Sequence, residues 1–327
     1  MKNILILKPR LDVMFKQGPV PKERGAIEPI RQHWKKFVDE LANEHEERGD
    51  VVKVLELPNW QFTPDIVEKL KPSRVYIPHK QSHQFPVNKK YDPHYYMQMV
   101  FPWLFQIDSQ GWGPDSSVHP IKPWSTSDTS LGDLYGKLRD RQIAGESKFD
   151  QPRMDGFSGP TTWEHHDYVF FPCQIPHDET IRFHSKVSVA EALQATIDYC
   201  KLSSIELIIK GHPVNPGSME ELREIGKGYL WADNVNINSL LAQSSCCVMV
   251  NSGVGMEAIL HGKPVVIFGD ADYISVVHQV PRLDATVDTI DSALGTIPDI
   301  GAYRGFINSY FDIMYDTTDP ASFRKLN

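Results

Sequence analysis

Short apolar runs, each followed by a turn and a stretch of helical spacing, recur along most of this chain and leave few architectures open. Residues 4–7, 51–55, 75–77 and 103–107 are too short for buried helices and read as strands. Between the first two, Ile30, Trp34, Phe37 and Leu41 fall at helical spacing within 27–48, and a short helix is expected at 65–70, after Pro58 and Pro64. Strand, helix, strand, helix, strand predicts a parallel sheet wrapped by helices. A second series opens at 168–171. It continues through a helix at 188–201, a strand at 206–209, helix 218–226, strand 229–231, helix 237–243, strand 246–250, helix 254–261 and strand 264–268. This predicts a second doubly wound domain. Between the two series, residues 114–164 dissolve into Ser, Thr, Pro, Gly and charge, with one helix expected at 131–142. Such a stretch marks loops over a cleft or an inter-domain segment. An aromatic-rich helix is expected at 303–315. The domains are therefore expected at 1–160 and 161–302, with 303–327 a C-terminal helix and tail packing back on the first.

With 327 residues, 41% of them apolar, the chain can bury a sizeable core and is not disordered overall. No run approaches the roughly 18–20 apolar residues that a membrane helix needs. The start, MKNILILKPRLD, sets Lys8 and Arg10 after a short apolar stretch without a cleavage-like segment, so a soluble, cytoplasmic protein is expected. A net charge of −8 argues against a surface wholly devoted to nucleic acid. The acidic excess lies after residue 160, and the first part is slightly positive. Four cysteines, Cys173, Cys200, Cys246 and Cys247, contain no CxxC pair and read as free thiols in a reducing compartment. The densest histidine patch, Glu164-His165-His166-Asp167, lacks both the HExxH pattern and zinc-site spacing, and no metal is expected.

Ligands of open α/β sheets sit outside the carboxyl ends of the strands, and three motifs occupy such places. Lys210-Gly211-His212-Pro213 follows the strand at 206–209 and sets two cationic or hydrogen-bonding groups before a rigid proline. A solvated turn is the alternative. Asn251-Ser252-Gly253-Val254-Gly255-Met256-Glu257 follows the strand at 246–250 and opens a helix. Its glycines, outward N–H groups and the Ser252 hydroxyl suit a phosphate, while Glu257, a turn further on, suits ribose or sugar hydroxyls. The alternative is a helix cap formed by Ser252. In the first part, Asp108 ends the strand at 103–107 just before Gly111 and Trp112, where it acts as a base or merely caps a turn. Tyr95, Tyr96, Phe101, Trp103, Trp112 and Trp124 crowd the same half, as core in most cases or as stacking surfaces for a sugar or an extruded base.

In their order and spacing, KGHP and NSGVGMEAILHGKPVVIFG, with YVFFPCQIPHD upstream, resemble the C-terminal domain of capsule-polysaccharide-type, Kdo-transferase-like glycosyltransferases, a GT-B group. The resemblance covers roughly residues 165–270. It implies two facing Rossmann-like domains with a cleft between them, the nucleotide-sugar donor held by the second and the acceptor by the first. It also implies that His212 steadies the departing phosphate. Ser252 and the backbone of Asn251, Gly253 and Gly255 would hold that phosphate, and Gln174, Lys210, Pro213 and Glu257 would position other donor groups. The family's base is an acid followed by Gly and an aromatic residue. Asp108 matches it loosely, since two residues separate it from Gly111, and Asp115 is a rival; Trp112 and Asp115 fall on the acceptor side. The implied function is metal-independent transfer from a CMP- or UDP-linked sugar, with no cofactor and with inversion, to a saccharide or glycolipid hydroxyl. Alternatives are a phage-type transfer to hydroxymethylated cytosine in duplex DNA, 2-epimerisation of a nucleotide sugar, and non-catalytic binding of one.

Overall fold

The computed structural model describes residues 1–11, 28–119, 133–146, 148–149, 151–152, 168–213 and 216–326. They form two compact units, one of Met1–His119 with Ile313–Asn327, the other of Pro120–Asp312. No helix among the described residues is long and apolar enough to cross a membrane.

In the first unit the apolar runs become β1 (Asn3–Pro9), β2 (Val51–Leu57), β3 (Arg74–Pro78), β4 (Pro93–Gln98) and β5 (Leu104–Asp108). With the short strand Tyr315–Asp316 at one edge, the sheet runs Tyr315–Asp316, β5, β4, β3, β1, β2. Helix Glu28–Glu47 turns Ile30, Trp34, Phe37, Val38 and Leu41 into the core, one stripe of an amphipathic helix. The Trp34 indole N–H donates to Gln98 Oε1 (3.1 Å), and Gln98 Nε2 donates to the Pro102 carbonyl (2.6 Å), so a buried amide fastens helix, strand and turn together. Phe37 stacks on Phe105 with ring centres 4.1 Å apart.

β1, β2 and β3 pair in parallel as the alternation predicts, and the sheet departs from that pattern at β5. β4 pairs in parallel with β3, but β5 runs antiparallel to β4, with Tyr95 opposite Asp108 and Gln98 opposite Phe105. The physical reason is the connection at 99–103, far shorter than the dozen or so residues that a parallel crossover requires. β4 itself is hard to read because its buried Tyr95 and Tyr96 are flanked by His94, Met97 and Gln98, leaving no aliphatic run.

The second unit contains β6 (Tyr168–Pro172), β7 (Glu206–Lys210), β8 (Leu230–Trp231), β9 (Cys246–Met249), β10 (Val265–Ile267) and β11 (His278–Gln279). All pairings are parallel and the order is β11, β10, β9, β6, β7, β8. Numbered within the unit this is 3-2-1-4-5-6, the doubly wound Rossmann order. Helix Val189–Ser203 opens with a capping box between Ser188 and Glu191 and buries Val189, Leu193 and Ile197 against Val169, Phe171, Leu207, Ile209 and Val248. Each such side chain contributes roughly 1.5–3 kcal/mol on burial.

The units divide after residue 119 rather than 160. Helix Leu134–Ile143 belongs with the second, where the Tyr135 hydroxyl donates to the carbonyls of Ile259 and Leu260 (both 3.1 Å) and the Tyr135 amide to Asn308 Oδ1 (3.0 Å). Helix Ile300–Asp312 also stays there, its Tyr303 hydroxyl donating to the Lys263 carbonyl (3.0 Å), so only Ile313–Asn327 joins the first unit. Phe323, 1% exposed, closes that junction against Phe37 and Tyr315. Phe323→Ala should cost the first unit about 3–5 kcal/mol, the usual range for a buried phenyl ring. Denaturant unfolding followed by hydrogen exchange should show the loss in Met1–His119, with protection of β6–β10 unchanged.

Candidate active site

In the second unit β6 lies between β7 and β9, so the loops leaving β6 and β9 diverge and open a crevice at the switch point. Gln174 and Asn251 bridge it. Gln174 Nε2 donates to Asn251 Oδ1 and the Asn251 amide donates to Gln174 Oε1, both at 3.0 Å. Asn251 Nδ2 also donates to the carbonyls of Thr180 (2.9 Å) and Asp270 (3.1 Å), tying in the loop after β10. Both side chains are buried and spend their polar atoms on this clasp. These bonds shape the crevice.

Lys210 is likewise engaged. Its ammonium donates to the carbonyls of Asp233 and Val235 (both 2.8 Å) and Ala232 (3.4 Å), which uses all three protons, and burial pushes its pKa down to about 8. The Gly211 amide donates to Asp233 Oδ1 (2.8 Å), and Arg223 pairs with the same carboxylate while lying over Trp231. Pro213 is exposed at the end of this turn. In the glycine turn, Ser252 Oγ accepts from the Val254 amide (3.2 Å), the cap reading, while the Ser252 carbonyl accepts from the Tyr273 hydroxyl. A Cβ at Gly255 would lie 2.3 Å from Tyr273 Cζ, so this glycine is required for packing against Tyr273. Gly253 precedes helix Val254–Leu260 with ordinary helical dihedrals.

What remains at the crevice is a group of ionisable side chains from four segments. His212 follows β7, Glu257 lies in helix Val254–Leu260, Asp178 caps helix Glu179–His184 after β6, and Lys148 comes from the chain ahead of β6. Asp178 Oδ1 accepts from the amide (2.9 Å) and hydroxyl (2.8 Å) of Thr180. Phe149 packs edge-on against the His212 imidazole, ring centres 5.3 Å apart at 74°. Burial lowers His212 to about 4 against the partial opposition of Asp178, and Lys148 lowers it further. Burial raises Glu257 to about 7, Lys148 working against the rise. Burial lowers Lys148 to about 8 although Asp178 and Glu257 both favour its charge. At neutral pH the site therefore holds a neutral imidazole, a cation and a carboxyl near its midpoint. Sequence reasoning missed Lys148, which sits in the aperiodic stretch; the motifs around His212 and Glu257 carried no signal for it.

The first unit places its candidates differently. Because β5 is antiparallel, its carboxyl end points opposite to those of β1, β3 and β4, and the strand-end argument for Asp108 does not hold. Asp108 is buried. Its Oδ1 accepts from the amides of Gln110 (2.7 Å), Gly111 (3.2 Å) and Ser117 (3.0 Å), and its Oδ2 from the Ser117 amide (3.1 Å) and hydroxyl (2.5 Å). Asp115, its side chain 32% exposed, stands 3.9 Å from His83 Nδ1. The loop of Asp115 is joined to the loop after β3 through the Ser82 amide, which donates to the Gln110 carbonyl (2.8 Å). Tyr95, Tyr96, Phe101, Trp103 and Trp112 are all buried, as core residues. Trp124 and the patch Glu164-His165-His166-Asp167 lie outside the described residues. Among the described residues no group of three or more His, Cys, Asp or Glu is arranged to hold a metal ion.

Comparison with known proteins agrees with this second unit. Residues 135–276 match the family model described as capsule polysaccharide biosynthesis protein, which bears out the resemblance read from KGHP and the glycine turn. Protein FixF of Sinorhizobium fredii is 26% identical over 233 residues, 67% of this chain; the chain spans 54% of that relative's length. Two solved structures from Thermosulfurimonas dismutans KpsC share the fold. The one described as beta Kdo 2,4 transferase has a TM-score of 0.56 at 15% identity, covering 93% of this chain and 89% of that one. The one described as beta Kdo 2,7 transferase has a TM-score of 0.50 at 16% identity, covering 93% and 90%. The fold is thus the α/β, GT-B kind, with two Rossmann-like domains.

The Glu257 carboxyl offers a direct check of the site's polarity. Its folded value of about 7 lies above its ordinary 4.5, so folding takes up a proton between these two pH values and the group's contribution to stability falls as pH rises through that window. Glu257→Gln removes this dependence. The variant's stability relative to wild type should grow by on the order of 1–3 kcal/mol from about pH 4.5 to about pH 7 and stay level above it, as read by denaturant melts across the range.

Proposed function

We propose that the protein is a glycosyltransferase that moves a sugar from a nucleotide-sugar donor to a hydroxyl of a saccharide acceptor, in capsule-type synthesis. The observation that carries the reading is the grouping of His212, Asp178 and Glu257, each after a parallel strand of a 3-2-1-4-5-6 sheet, within electrostatic reach of Lys148, in a segment that matches the capsule polysaccharide biosynthesis family model. The KpsC likeness supports the fold on which such chemistry is built. Neither duplex DNA as acceptor nor 2-epimerisation is favoured by any of these observations.

In this reading the acceptor hydroxyl gives its proton to a carboxylate as its oxygen attacks the anomeric carbon from the side opposite the phosphate. The glycosyl C–O bond breaks with inversion, and the electron pair leaves on the phosphate oxygen. His212, neutral at physiological pH, donates an N–H to that oxygen as its charge grows. The base falls to Asp115 rather than Asp108, because both Asp108 oxygens are already taken up by loop amides and the Ser117 hydroxyl, whereas the Asp115 side chain is partly exposed. Asp108 organises the loop on which Asp115 stands. The CMP- or UDP-linked donor is a co-substrate, and the scheme calls for no metal.

Two measurements test this. Thermal unfolding in the presence of CMP-, UDP-, GDP- and dTDP-sugars should single out one nucleotide, since a ligand selective for the native state raises apparent stability as ln(1 + [L]/Kd). No shift with any of them would remove the donor site. With the selected donor, His212→Ala should lower kcat by about 10²–10³-fold, the usual loss for one charge-stabilising donor. Asp115→Asn should lower kcat with donor affinity intact, while Asp108→Asn should chiefly lower stability; the reverse pattern returns the base to Asp108.

A further inference from the structure

The cations at the crevice are not equivalent. Lys210 has every ammonium proton on a backbone carbonyl, and Arg223 is committed to Asp233 and the face of Trp231. Lys148 makes no hydrogen bond or ion pair among the described residues, although it stands within the electrostatic reach of Asp178 and Glu257. Its neighbour Phe149 packs on the His212 ring, which keeps the segment beside the imidazole. Within electrostatic reach of Lys148, the Glu257 side chain is more than nine-tenths buried and makes no side-chain hydrogen bond among the described residues. An ammonium and a carboxyl that influence each other in a screened site without forming a direct ion pair are a poor arrangement for stability alone, since each bears a desolvation cost that such a pair would offset. Such an arrangement suits a site that receives a charged ligand.

We propose that Lys148 is the cation that grips the phosphate of the nucleotide-sugar donor, a role that rests on the reading of this crevice as the donor site. The ammonium of Lys148 and the N–H of His212 address the same group of anionic oxygens, one supplying charge and the other direction. Phe149 holds the imidazole in place for this. The carboxyl of Glu257, protonated through the acid side of neutrality, lets an anion approach without repulsion. Asp178, its Oδ1 occupied by Thr180, offsets the charge of Lys148 while the site is empty.

The test is calorimetric titration of the full-length protein with CMP and with UDP, alongside thermal unfolding without ligand. Lys148→Met should weaken binding of the preferred nucleotide by about 10–100-fold, the range for loss of one charge-assisted hydrogen bond. Its unliganded melting temperature should be unchanged or higher. Wild-type affinity should decline as pH rises past about 8, where Lys148 sheds its proton. Lys148→Arg, which stays charged, should bind within a few-fold of wild type at neutral pH and keep its affinity in that alkaline range. A Lys148→Met protein that binds as wild type but melts lower would overturn the proposal, making Lys148 a structural partner of Glu257 and Asp178. Wild-type protein that binds neither nucleotide would overturn the donor-site reading as well, so the two failures are told apart.

Discussion

Two reciprocal hydrogen bonds between Gln174 and Asn251 hold the second unit's crevice in shape. In a doubly wound sheet the loops on either side of the switch point diverge, and without a tie their backbone groups would be left to solvent. The Gln174–Asn251 pair closes that gap, and Asn251 extends the tie to the carbonyls of Thr180 and Asp270. The cap of Asp178 on Thr180, the Tyr273 ring over Gly255 and the turn of Ser252 all sit on loops anchored by this pair. Some polar residues at strand ends thus build the walls of the crevice, and others leave their charge unspent on it.

The same division explains what the sequence could and could not convey. Alternation of short apolar runs with helical spacing locates most elements of the second unit, because that pattern follows directly from which faces are buried, but it passes over helices Glu179–His184 and Thr286–Gly295 and the two-residue strand β11. That His212 and Glu257 each come after a parallel strand of the second unit also follows from the same pattern. Lys210, Gln174 and Asn251 look like ligand-binding residues by type and position, yet their polar atoms are satisfied internally. Saturation of this kind depends on carbonyls more than twenty residues distant, from Ala232, Asp233 and Val235 for Lys210, and leaves no local trace. Lys148 has the opposite problem: its surroundings in sequence are polar and aperiodic, and only folding sets it beside His212.

The first unit shows how one short connection alters a functional inference. Five residues between β4 and β5 force an antiparallel pairing, and the rule that ligands gather at carboxyl ends loses its premise for Asp108. The carboxylate is then best understood as the centre of a loop, collecting amides from Gln110, Gly111 and Ser117. Burial of Tyr95, Tyr96, Trp103 and Trp112 settles the aromatic crowding in the same terms, as packing between helix Glu28–Glu47 and the sheet or beside it.

The first unit is discontinuous, and this bears on how the molecule is made. Strand Tyr315–Asp316 pairs with β5, and Arg48 reaches the backbone carbonyls of Arg324 and Leu326. During synthesis on the ribosome, the first sheet must wait with an open edge at β5 until the whole inserted unit has emerged. Exposed edges of this sort recruit other strands, so the nascent chain carries a window of vulnerability to mispairing that the uninterrupted second unit does not share.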